Sequence, residues 1–147
     1  MPRPDRVPRR HQRGAMLLEA LVALLIFSFG ILGVVGLQAA AVQQSTDARY
    51  RSEAAQLVDQ LIGQMWTTSR TPAALQASFN TCGGSTCTGY ASWAATVATR
   101  LPGVNTGGTT KPVVNVDNSG IVTVTIYWKS PSDETAHQFS VEAQIVQ

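Results

Sequence analysis

Residues 14–42, Gly14-Ala15-Met16-Leu17-Leu18-Glu19-Ala20-Leu21-Val22-Ala23-Leu24-Leu25-Ile26-Phe27-Ser28-Phe29-Gly30-Ile31-Leu32-Gly33-Val34-Val35-Gly36-Leu37-Gln38-Ala39-Ala40-Ala41-Val42, decide how this chain folds. From Ala20 to Val42 nothing is charged, and only Ser28 and Gln38 are clearly polar. As a helix rising about 1.5 Å per residue, the run reaches roughly 35 Å, enough to cross a bilayer core with some tilt. The segment before it carries Arg3, Arg6, Arg9, Arg10 and Arg13 against Asp5, a net +4. Such a basic flank stays in the cytoplasm and directs the rest of the chain outward.

Outward from this run, the composition is uneven. The 147 residues sum to +2, but everything after residue 14 sums to −2, so the pI of about 8.8 describes the N-terminal tag. A dedicated nucleic-acid binder carries its basic surface on the folded part, and no nucleic-acid partner is expected here. The length supports one small domain plus an appendage. With 44% hydrophobic and 14% charged residues, the chain is not of the disordered class. An ordinary secretory signal, cut at Ala39-Ala40-Ala41, has an apolar region of about 7–15 residues, shorter than this one. A plain membrane anchor leaves Glu19 unexplained. A carboxylate in an apolar segment costs up to ~3 kcal/mol near the bilayer centre, less near the interface, and usually marks a function.

The stretch from Gly14 to Ile26 resembles the leader-and-helix signal of type IV pilins and pseudopilins. That signal is a short basic leader ending in Gly, then a small or aromatic residue, then apolar residues with a Glu five positions past the cut. Glu19 to Gly33 is most similar to minor pilins of the PilV type, also called pilus modification proteins. Ala15 stands where the family usually has Phe, and Leu17 where Thr is common. The resemblance implies an α+β, pilin-like fold: a long N-terminal helix, membrane half plus amphipathic half, packed on a C-terminal antiparallel β-sheet. Residues 1–14 become a basic leader, cleaved between Gly14 and Ala15 by a prepilin peptidase, a membrane aspartic protease that then N-methylates Ala15. Residues 15–42 become the transmembrane and filament-core half of the helix, and 43–147 the exported domain. Glycine at the cut suits a peptide lying extended in a narrow cleft.

Glu19 acquires a role through the same resemblance. An unpaired carboxylate in a nearly dry core of packed helices costs several kcal/mol, which a facing ammonium offsets. In this family the partner is the N-terminal ammonium of a neighbouring subunit, which makes Glu19 the determinant of axial register. A first-turn acid also favours its own helix N-terminus, by under ~1 kcal/mol. The implied protein is a low-copy subunit that primes pilus assembly at or near the tip and supports twitching motility and adhesion. Its implied partners are the peptidase, the inner membrane, other minor pilins, the major pilin and a large tip adhesin. The closest rival, a minor pseudopilin of a type II secretion system, shares the whole N-terminal pattern. Gly30, Gly33 and Gly36 have two readings, a flexible spine or small-residue packing between membrane helices.

Beyond Val42, Ala54, Leu57, Val58, Leu61, Ile62, Met65 and Trp66 follow helical 3, 4 spacing. This predicts one helix from about Met16 to about Thr67, with Asp47–Arg51 and Arg49–Glu53 as weak i, i+4 pairs. Thr71-Pro72 predicts a capped short helix over Ala73–Phe79. Cys82 and Cys87, four residues between them, read as a small disulfide loop in an oxidising exterior. A zinc site on them needs two further ligands, with His137 the one imidazole outside the leader, so no metal and no cofactor is expected. Ser92 predicts a cap for a helix with Trp93, Val97 and Leu101 on one face, ended by Leu101-Pro102-Gly103. Residues 104–111 read as a loop. The C-terminal third alternates as strands: Val113–Val116, a turn at Asp117-Asn118-Ser119-Gly120, then Val122, Val124, Ile126 and Trp128, then Phe139, Val141, Ala143 and Ile145. A sheet with one apolar side needs a cover, and the amphipathic half of the helix is the expected one. Walker A, G-x-S-x-G and H-E-x-x-H strings are absent, and the chain is not expected to be an enzyme. His137 lies near Asp133 and Ser140 in sequence but is expected to be a surface residue at the start of its strand.

Overall fold

The computed structural model describes residues 13–68, 70–82, 87–131 and 133–145. The expected leader lies outside these residues except for Arg13 and Gly14, as does the tip of the cysteine loop, residues 83–86.

No proline stands between Pro8 and Pro72, so nothing in that stretch removes a helical N–H or clashes with the preceding turn. Helix α1 accordingly runs unbroken over Arg13–Thr67, 55 residues. The chain divides into two compact units between Ser45 and Thr46. In the first, the described residues are helix alone, exposed all round, with Leu37 at 74%. A Cβ added at Gly30, Gly33 or Gly36 would meet nothing within 4 Å. Among the described residues, no part of the chain packs on those glycines.

The second unit is α+β. It contains residues 46–67 of α1, then α2 (Pro72–Phe79), α3 (Thr88–Arg100), β1 (Val113–Val116), β2 (Ile121–Trp128) and β3 (His137–Gln144). The strands form one antiparallel sheet in the order β1-β2-β3, with Val124 opposite both Val114 and Val141. Along β2 every second residue is buried, Val122, Val124, Ile126 and Trp128, as period-2 alternation requires of a half-covered strand. They share one core with Ala54, Leu57, Val58, Leu61 and Met65 of α1. Each fully buried aliphatic side chain contributes about 1.5–3 kcal/mol relative to an exposed one. The outer edge of β1 is closed by the chain leaving α2. Thr81 donates its N–H to the Val114 carbonyl (2.9 Å), Val114 donates to Thr81 Oγ1 (2.6 Å), and Val116 to Asn80 Oδ1 (2.6 Å).

Three local expectations change. Trp66 is 46% exposed rather than core: the buried stripe follows 54, 57, 58, 61 and 65, and position 66 lies one step round the helix, with the Arg70 guanidinium 5.7 Å above its ring. Glu53 pairs not with Arg49 but with Arg100 of α3, at 2.8 Å. Helix α3 begins a turn before Ser92, with Cys87 at its N-cap, and the Ser92 hydroxyl donates to the Gly89 carbonyl inside it. The early start has a packing cause. Tyr90, Trp93, Ala94, Val97 and the C-cap Leu101 make one buried face, so the apolar period already begins at Tyr90. Gly89 permits it, since a Cβ there would stand 2.6 Å from the Phe79 ring. At the other end Gly103 takes φ +68 against the Lys129 carbonyl, a left-handed conformation that suits glycine. The Trp93 indole N–H donates to the Leu57 carbonyl at 2.8 Å in the core, fastening α3 to α1.

This packing separates two residues that the sequence period groups together. Leu61→Ala should lower unfolding free energy by about 2–5 kcal/mol, and Trp66→Ala by less than about 1 kcal/mol. Urea titration of the full-length protein in detergent measures both; equal losses would show that the stripe is misplaced.

Candidate functional site

The predicted processing and register residues share the first turns of α1. Gly14, Ala15 and Glu19 are all exposed, and Ala15 and Glu19, four apart, lie on one face of the helix. Glu19 has no ion-pair partner among the described residues. The helix from Gly14 is long and apolar enough to cross a membrane, and none of its most apolar window is buried in the chain. Within it the Ser28 hydroxyl donates to the Leu24 carbonyl at 2.7 Å, so this hydroxyl enters an apolar surrounding already hydrogen-bonded.

Cys82 and Cys87 are joined as a disulfide, their Cα atoms 6.3 Å apart. The pair links the end of the β1-edge segment to the N-cap of α3. Beside it, Lys111 Nζ donates to the Cys82 carbonyl at 3.3 Å and stands 5.7 Å over the Tyr90 ring. The buried Tyr90 hydroxyl donates to the Pro112 carbonyl at 2.7 Å. Burial pushes the Tyr90 phenol above its ordinary value, a rise that hydrogen bonding with Thr81 partly offsets.

A second constellation was not legible in the sequence. His137 opens β3 opposite Trp128, and the two rings stack with centroids 5.8 Å apart. Its Nε2 lies 3.0 Å from Asp133 Oδ2 in the preceding loop. Asp47 of α1 joins them, so that the ligand-capable atoms of Asp47, Asp133 and His137 all lie within 4.8 Å of one another. All three residues are half-buried. A cavity of about 420 Å3 opens beside them, lined by Asp47, Ala48, Arg51, Trp128, His137 and Gln138. Ser140, near His137 in sequence, is not part of the group: it lies on the exposed face of β3, its hydroxyl 3.0 Å from that of Thr125. The Trp128–His137 pairing follows from hairpin register. The approach of Asp47 is a long-range contact with no local sequence signal. Chemically the cluster offers two carboxylate oxygens and one imidazole nitrogen, a donor set for a divalent cation.

Comparison of the chain with family models, with curated proteins and with solved structures finds no match in any of the three.

The raised Tyr90 pKa carries a stability consequence of definite sign. A phenol ionises near pH 10 when unfolded and later when folded, so above that pH the unfolded chain binds fewer protons. Stability then falls as pH rises. Tyr90→Phe should flatten that alkaline decline while costing about 0.5–1.5 kcal/mol at neutral pH for the lost hydrogen bond. Melting curves of both proteins from pH 8 to about pH 11 read the effect, and an unchanged slope in the variant would exclude Tyr90 as its source.

Proposed function

We propose that this chain is a minor pilin of a type IV pilus, of the PilV type, made as a single-pass inner-membrane precursor and then incorporated at or near the pilus tip. The reading rests on one coincidence: an arginine-rich leader, Gly14, Glu19 and an uncharged apolar run follow one another at the spacing of the pilin signal. The continuity of α1 supports it. The helix carries Glu19 in its exposed apolar part and continues without a break into the core of the second unit.

The steps follow from the chemistry. The +4 leader holds the N-terminus in the cytoplasm, where the prepilin peptidase cuts after Gly14 and methylates the new amine of Ala15. Cleavage discards the charge that fixed the topology and leaves an ammonium in its place. The exposed apolar helix then leaves lipid for an array of like helices formed by the major pilin and other minor pilins. There Glu19 faces the amine of a neighbouring subunit, and the pair sets the register. The exported domain contributes the contacts with other minor pilins and a tip adhesin. Its role is structural, and motility and adhesion belong to the assembled filament.

Mass spectrometry of the mature N-terminal peptide tests the processing step. It should begin at Ala15, heavier by one methyl group, and the leader should remain attached in cells lacking the peptidase. A mature chain beginning at Val42 would overturn the reading. For assembly, Glu19→Ala should insert and be cut normally yet be lost from sheared pili. Wild-type abundance there would remove the register role.

A further inference from the structure

We propose that Asp47, Asp133 and His137 form a binding site for one first-row divalent cation of the zinc type, which ties α1 to the loop before β3. The proposal is independent of the pilus reading, because every residue in it belongs to the second unit.

The ligands come from three separate places, helix, loop and strand, and converge within 4.8 Å. Zinc holds nitrogen and oxygen ligands at about 2.0–2.2 Å, which places neighbouring donors roughly 3–3.5 Å apart. The Asp133–His137 separation of 3.0 Å is of that size, so an ion can replace the shared proton with little movement. Calcium and magnesium prefer all-oxygen shells, whereas an imidazole selects for zinc and its neighbours. Arg51 lines the same cavity, but two carboxylates outweigh its single charge.

A separate observation comes from Trp128. It is 3% exposed and lines the cavity, yet its indole Nε1 has no hydrogen-bond partner among the described residues. Buried N–H groups are seldom left unpaired. A cation with three protein ligands keeps coordination for an oxygen ligand as well. An oxygen carried by the ion reaches this N–H with a small shift of the ring edge, and the tryptophan then gains its acceptor. Cys82 and Cys87 are joined to each other and do not compete as thiolates.

Titration of zinc chloride into the full-length protein in detergent, followed by calorimetry, tests the site. One equivalent should bind in the micromolar range. Asp47→Asn and His137→Gln should each weaken it about tenfold or more, with circular dichroism in EDTA unchanged. Asp47→Asn leaves the Asp133–His137 pair intact and so remains informative if the histidine variant folds poorly. Cobalt in place of zinc should quench part of the emission of the three tryptophans in wild type, a part lost in both Trp128→Phe and Asp47→Asn. Absence of micromolar binding would overturn the proposal. So would equal zinc affinity in wild type and both variants, which would put the ion elsewhere on the chain.

Discussion

One helix has to satisfy two surroundings, and the rest of the molecule is arranged around that requirement. Its first part exposes apolar side chains on every side, a surface that water does not tolerate at such length. The part after Ser45 is wetted on one side and greasy on the other. The change falls at Gln43-Gln44-Ser45-Thr46-Asp47, the first polar cluster after the apolar run. With no proline to separate the parts, a single hydrogen-bonded rod carries both, and its apolar positions narrow to the stripe at 54, 57, 58, 61 and 65.

That stripe explains the economy of the second unit. A three-stranded sheet with one apolar face is marginal alone, and here the cover comes from the helix that also carries the exposed apolar run. The short helices complete the enclosure rather than build it. Phe79 of α2 meets α3 at the position where only glycine fits. Asn80 and Thr81 close the β1 edge, removing from solvent a row of groups that would otherwise invite strand pairing.

Much of this was legible in the sequence wherever the signal was periodic and local. The β2 alternation placed Val122, Val124, Ile126 and Trp128 on the buried face, and Pro72 marked the first residue of α2. Misplaced features were decided by partners distant in the chain. Trp66 fits the helical period as well as Met65 does, and only the position of the sheet makes one core and the other surface. Glu53 had a plausible i−4 partner in Arg49, yet Arg100 of α3 is nearer. Ser92 has the side chain of a cap, but the helix starts earlier, where Phe79 makes Gly89 a packing contact. The Asp47–Asp133–His137 group shows the same limit at a site. Its loop and strand members lie four residues apart, while the third arrives through the fold of the whole unit.

The indole bond from Trp93 to the Leu57 carbonyl has a mechanical consequence. It holds α1 in the company of the buried contacts along the stripe. Freeing α1 from the second unit would therefore have to break this bond together with the buried contacts of the stripe.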